Sequence, residues 1–187
     1  MKSDSHSHSF RHLASFGKRM EFSIIAEMLA DGMDVYTPLV DDNGIDAVVR
    51  KPNGEFVEIQ IKTRSEDVRF GDEALFAGIT HEWRRNYWFV FRSEGIKDSS
   101  GRSMTWILSS KEFINASNQN KKGKNKGKRT LWLNGRKNGV PYVYDRFEKY
   151  RVKYENGEAL SARILNEDPN AHFTCPQEMK GYEYGAQ

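Results

Sequence analysis

Glu58, Gln60 and Lys62 alternate with Val57, Ile59 and Ile61 in one short run. In a strand this pattern puts an acid, an amide and an amine on one face and the aliphatic residues on the other. Upstream, Gly44-Ile45-Asp46-Ala47-Val48-Val49 is a second strand-like run carrying a single acid. Lys51-Pro52-Asn53-Gly54 lies between them with turn chemistry, since Pro sets φ and Gly accepts positive φ. With one bulged residue in that turn, Arg50 pairs near Phe56 and Asp46 falls opposite Gln60. Directly opposed strand residues have Cβ atoms about 5 Å apart, so both could reach one metal ion. The same residues also fit a plainer arrangement. Asp46 would then lie on the exposed face of a hairpin, with Gln60 and Lys62 on the solvated side of an edge strand.

The elements that must hold these groups are legible in outline. Met20, Ile24, Ile25, Met28 and Leu29 recur at helical spacing over residues 15–30, and Asp31-Gly32 provides a stop. Residues 34–38 read as a short strand ending at or before Pro38, because proline cannot continue a central ladder. The hairpin follows over 44–50 and 55–63. A weaker signal, with Leu75, Phe76, Ile79 and Trp83, suggests a helix over 72–85. Tyr87-Trp88-Phe89-Val90-Phe91 predicts a buried strand and residues 104–108 another. Ser109 or Ser110 can cap a short helix over 111–116. Residues 118–128 form a Gly/Asn/Lys-rich loop, 130–133 a strand and 144–150 a last helix.

Composition bounds the rest. A chain of 187 residues with 4 Trp, 8 Tyr and 11 Phe can bury one good core. No apolar run approaches the roughly 20 residues of a membrane span. The polar start, with His6 and His8 among serines, is expected to be a flexible tail over 1–14 rather than a signal peptide. Cys175 is the single cysteine, which precludes an internal disulfide and fits a reducing, cytoplasmic setting. His172 beside it falls short of a zinc set. Asp41 and Asp42 read as loop residues rather than extra ligands. The organisation expected is one α/β domain over 15–155 and an acidic, loosely ordered tail over 156–187.

Charge is segregated. Residues 102–153 hold 14 of the 29 Lys/Arg and 3 of the 26 acids, giving +11 there and −8 elsewhere. Lys121, Lys122, Lys124, Lys126, Lys128 and Arg129 are packed into nine residues with two glycines, which suits contact with phosphates or else a solvated loop. Arg64, Arg84 and Arg85 are candidates for the same surface. Trp83, Trp88, Trp106 and Trp132 sit in apolar patterns and are expected in the core, and His81 is expected to be structural or exposed.

Three local matches, in order, resemble the PD-(D/E)XK, or restriction-endonuclease-like, nuclease superfamily. Gly17-Lys18-Arg19-Met20-Glu21 resembles the G-x-x-x-E of its first helix, Asn43-Gly44-Ile45-Asp46 its G-x-D, and Gln60-Ile61-Lys62 the Q-x-K variant of its (D/E)-x-K tripeptide. The likeness covers residues 15–92. It implies a restriction-endonuclease-like α/β core, a mixed central β-sheet flanked by helices, and a Mg²⁺-dependent nuclease, with Mn²⁺ as a substitute metal. By position it implies Asp46, Gln60 and the Ile61 carbonyl as metal ligands, Lys62 orienting water, and Glu21 supporting from the helix. Such chemistry needs a nucleophilic water and positive charge where the phosphorane becomes negative. Gln60 is neutral where the usual motif is acidic, so Glu58 is kept as a secondary site residue. The implied partner is nucleic acid, DNA before RNA, with no membrane; a homodimer would address both strands of a duplex. The rival reading is a nucleic-acid-binding or assembly module that has lost the chemistry, with a small-molecule enzyme a distant third.

Overall fold

The computed structural model describes residues 10–40, 43–68, 71–137 and 140–170. The expectations for His6, His8, Asp41, Asp42, His172 and Cys175 lie outside the described residues. Helix α1 (Phe10–Ala30) buries Ile24, Ile25 and Met28 along one stripe, as their spacing requires. It starts at Phe10, earlier than the boundary at residue 15 expected. It closes when the N–H of Gly32 donates to the Leu29 carbonyl and that of Met33 to the Met28 carbonyl, both at 3.0 Å.

The strands that follow are β1 (Asp34–Tyr36), β2 (Ala47–Arg50), β3 (Phe56–Arg64), β4 (Leu75–Ile79), β5 (Tyr87–Lys97) and β6 (Ser103–Ser109). After helix α2 (Ser110–Ala116) come β7 (Asn118–Gln119), β8 (Arg129–Trp132), β9 (Asn134–Lys137) and β10 (Val140–Val143). Helix α3 (Asp145–Glu148), a 3₁₀ turn (Tyr154–Asn156) and helix α4 (Ser161–Asn166) complete the described chain.

The central sheet has the order β1-β2-β3-β5-β6, with β3 and β5 parallel and the other neighbours antiparallel. The fold is therefore α/β with a mixed central sheet flanked by helices. The β2–β3 hairpin pairs Arg50 with Phe56 and Ala47 with Ile59, the register its turn predicts. On one face of the sheet Val57, Ile59, Ile61, Trp88 and Val90 pack with α1 and with Leu160 and Ile164 at α4. On the other face Tyr87, Phe89 and Phe91 pack with Phe113 of α2 and with Phe76, Ile79 and Leu131 of a smaller antiparallel sheet, β4-β8-β7. Phe89 lies 4.3 Å from Phe113 and Phe76 4.8 Å from Phe91, ring centre to ring centre. The Ser109 side chain and the Glu112 carboxylate cap α2 reciprocally, as the sequence suggests.

Several elements differ from expectation. Residues 72–85 form no helix, and β4 lies there instead. Gly78 has φ +76°, and the β4–β8 register shifts between Phe76 and Ile79. This bulge returns Ile79 to the buried side that Phe76 faces, so a strand mimics helical spacing. The hairpin β9–β10 was not expected, and the helix expected over 144–150 is shorter and is not the last. Beyond residue 156 the chain still contributes to the core, because Leu160 and Ile164 are fully buried. Lys51 Nζ donates to the Glu167 carbonyl at 2.8 Å and Ser161 N to Asp31 Oδ2 at 3.1 Å, so the segment is docked through at least residue 167. Trp88 and Trp106 are core residues, but Trp132 is exposed because β8 turns Leu131 inward. Among the described residues no helix is long and apolar enough to cross a membrane.

Candidate functional site

Asp46 sits where β2 begins, after a turn in which Asn43 and Gly44 both take the left-handed conformation, with φ 55° and 69°. Two partners pin that turn. Arg84 Nη1 donates to the Asn43 carbonyl at 2.9 Å, and the Tyr87 hydroxyl donates to the Gly44 carbonyl at 2.8 Å. Asp46 N then donates to the Ile59 carbonyl at 2.9 Å, and the Asp46 side chain turns toward β3. Its Oδ2 accepts from the Ile61 N–H at 2.6 Å, and the residue is only 8 % exposed. A carboxylate this buried requires such a donor.

A strand residue directs its N–H and C=O to the same side of the ladder. The Ile61 carbonyl therefore faces the Asp46 side, beyond the last β2–β3 pair, Ala47 with Ile59. Gln60 is equally buried, and its amide packs against Gly44 where a Cβ would collide with it. Gln60 and Lys62 share one face of β3, in register with Phe89 and Phe91 of β5. Lys62 is half-buried on that face.

Glu21 and Asp46 line one cleft of about 230 Å³ together with Lys18, Phe22 and Ile45. Glu21 is bound there by Lys18 at 2.5 Å. Glu58 has gone elsewhere, because its carboxylate is held by Arg84 Nη2 at 2.5 Å. Of the acids expected to supply the charge Gln60 lacks, Glu21 shares the cleft with Asp46 and Glu58 is committed to Arg84. Among the described residues no group of three or more His, Cys, Asp or Glu is arranged to hold a metal ion. The contacts shown are the Ile61 N–H on the Asp46 carboxylate and the Gln60 amide against Gly44, so the oxygen donors available on this stretch of the hairpin are the Asp46 carboxylate, the Gln60 amide and the Ile61 carbonyl. A hard divalent cation that keeps several waters fits a partial set of this kind.

The basic segment divides. Arg84 is spent on Glu58 and Asn43, Arg64 donates to the Leu75 carbonyl at 3.1 Å, and Arg129 donates to the Ile114 carbonyl at the end of α2 at 3.2 Å. Each of these three half-exposed arginines is thus anchored to the fold by an internal hydrogen bond. Lys121, Lys122, Lys124, Lys126 and Lys128 are all exposed, and among the described residues none enters an ion pair within 4.0 Å. Their loop is ordered. Asn120 N donates to the Lys128 carbonyl at 2.9 Å and Gly127 N to the Asn120 carbonyl at 2.8 Å, which extends the β7–β8 ladder into the loop.

His81 is structural. Its Nε2 is 2.8 Å from Ser110 Oγ, and its ring packs against Tyr87, Phe89 and Phe113. Burial, with Arg84 and Arg129 nearby, lowers its pKa to about 4. The positioning roles of Arg84 and Tyr87 left no mark in the sequence, because they arise from contacts more than 40 residues apart. A larger cavity of about 710 Å³, lined by Trp88, Glu112, Lys149, Tyr150 and Glu167 among others, contains none of Asp46, Gln60 or Lys62.

No protein-family model and no curated protein matches the chain. Among solved structures it is similar to a bacterial homing endonuclease, I-Ssp6803I, with 16 % sequence identity and a TM-score of 0.47, over 75 % of this chain and 88 % of that one.

Proposed function

We propose that this chain is a metal-dependent nuclease that hydrolyses nucleic-acid phosphodiester bonds, DNA before RNA, through a PD-(D/E)XK-type site in its Q-x-K form. The observation that carries the reading is the 2.6 Å bond from the Ile61 N–H to Asp46 Oδ2. It draws the acid of one strand against the Ile61 backbone, in the middle of the Gln60-Ile61-Lys62 segment of the next, which supports reading the two together as one site. Asp46, Gln60 and the Ile61 carbonyl would hold Mg²⁺ or Mn²⁺. When bound, the ion would lower the pKa of water and offset charge on the phosphoryl group. Lys62 is the group suited to orient the attacking water, and its ammonium favours the negative phosphorane. Glu21, across the cleft, would add the second negative charge on exchanging Lys18 for the metal, and Arg84 and Tyr87 hold the turn that presents Asp46. A homodimer would supply one such site per strand of a duplex.

One observation favours a second reading, a nucleic-acid-binding module without chemistry. Glu58 is bound to Arg84, so the strand that carries Gln60 brings no anion of its own to the site. The two separate on incubation with plasmid and single-stranded substrates in Mg²⁺ or Mn²⁺, beside Asp46→Ala and Lys62→Ala. Metal-dependent cleavage lost in both variants is the expected result. Salt-sensitive binding with no cleavage on any substrate would leave the binding module standing.

A further inference from the structure

Trp132 is a large aromatic residue that the core leaves out. Strand β8 alternates, so Leu131 and the following Leu133 are fully buried while Trp132 is 44 % exposed. The same alternation places Lys128, Thr130 and Trp132 on one outward face and Arg129 and Leu131 on the inward one. At about 3.3 Å per residue, Lys128 and Trp132 lie about 13 Å apart along the strand. Leu75 is the cross-strand partner of Trp132, and the exposed Ala77 lies farther along β4 on the same side. The outer face of the small sheet is thus a shallow platform with an indole on it.

The lysine loop is anchored to that platform. Asn120 Nδ2 donates to the Lys128 carbonyl at 2.9 Å and to Thr130 Oγ1 at 3.1 Å, and Gln119 Nε2 donates to the Gly127 carbonyl at 3.1 Å. Gly123 and Gly127 take φ of 75° and 82°, which lets the loop close tightly. The backbone that carries the lysines is therefore tied to the strand that carries the indole.

We infer that this face binds a single-stranded nucleic acid, with an unpaired base stacked on Trp132 and the neighbouring phosphates held by Lys128 and the loop lysines. The pairing of chemistries carries the inference. A flat indole face takes any base whose own faces are free, and closely spaced ammonium groups neutralise the backbone on either side of it. A continuous duplex offers the lysines its phosphates but offers Trp132 no free base. Trp132 therefore selects for unpaired strands, and the lysines bind both forms. The inference rests on the reading of the chain as a protein that handles nucleic acid; it does not depend on cleavage.

The test is binding in EDTA, where no metal-dependent cutting occurs, of labelled single-stranded DNA, single-stranded RNA and duplex DNA by wild type, Trp132→Ala and Trp132→Phe. The expected result is that Trp132→Ala weakens single-strand binding about 5- to 100-fold and leaves duplex binding unchanged, with Trp132→Phe falling between. The two single-stranded arms show whether DNA, RNA or both is the ligand. In wild type, single strands should quench indole emission saturably while duplex does not, and Trp132→Phe should remove the quenching. This readout stands even if the alanine variant folds poorly. Equal binding of single strands by wild type and Trp132→Ala, or an equal loss on single strands and duplex, overturns the inference. Trp132-dependent binding without cleavage by wild type would sink the nuclease reading alone. Cleavage with Trp132-independent binding would sink the base platform alone.

Discussion

Arg84 grips Glu58 with one guanidinium nitrogen, at 2.5 Å, and the Asn43 carbonyl with another, at 2.9 Å. One residue thus engages the acid on the Gln60 face of β3 and secures the turn that delivers Asp46. Its guanidinium also lies 4.4 Å from the centre of the Tyr87 ring, whose hydroxyl holds the next carbonyl of the same turn. Glu58→Gln should therefore leave the metal requirement for cleavage unchanged, and Glu21→Gln should raise the Mg²⁺ concentration at half-maximal rate several-fold. A metal titration of cleavage rate for the two variants decides it. The reverse order would mean that Glu58 leaves Arg84 to serve the metal.

Gly44 is irreplaceable for two independent reasons. Its φ of 69° disfavours any side chain, and a Cβ there would meet the Gln60 amide. Gly44→Ala should cost about 1–3 kcal/mol of folding stability, read from urea unfolding. It should also lower cleavage more than the remaining folded fraction accounts for, since the Gln60 amide must leave its place against residue 44.

The pH dependence of stability should carry a His81 signature. Burial and the nearby cations lower its pKa from 6.5 to about 4 in the folded chain. Between those values the unfolded chain takes up a proton that the folded chain refuses, so stability is full above pH 6.5 and declines as pH falls toward 4. His81→Phe should show a flatter profile across that window when melting temperatures are measured between pH 5 and 7. An unchanged slope would show that His81 protonates freely in the folded state.

Replacing Lys121, Lys122, Lys124, Lys126 and Lys128 by Gln should weaken duplex binding and flatten its salt dependence. The slope of log K against log[salt] should become shallower by up to about 4.5, if each lysine meets a phosphate. Folding should be unaffected, because the hydrogen bonds that hold the loop come from backbone, Asn120 and Gln119. Arg129→Gln should instead lower thermal stability, since Arg129 ties β8 to the end of α2.

The hairpin was readable because its information is local. Alternation in residues 57–62 and the turn at Pro52-Asn53-Gly54 set the faces and the register, and the structure pairs Arg50 with Phe56 accordingly. The first helix, the aromatic strand and the Ser109 cap were readable for the same reason. Where local pattern and tertiary demand diverged, the expectation failed. The spacing of Leu75, Phe76 and Ile79 is that of a helix turn, and only pairing with β8 and the bulge at Gly78 make it a strand. Trp132 resembled a core residue because its neighbours are leucines, and β8 buries only the face that they occupy.

By itself the sequence determined which groups could meet on the hairpin: Asp46, Gln60 and Lys62 follow from strand period and turn chemistry, which act within 20 residues. It also determined that positive charge is concentrated in one segment. The tertiary structure decided how these groups are used. It sent Glu58 to Arg84, placed Glu21 in a cleft with Asp46, turned Arg129 inward and Trp132 outward, and drew Leu160 and Ile164 into the core. Each of these depends on which elements pack together. Pairing energies between distant segments are set by the shape of the whole core, and no short window of sequence contains them.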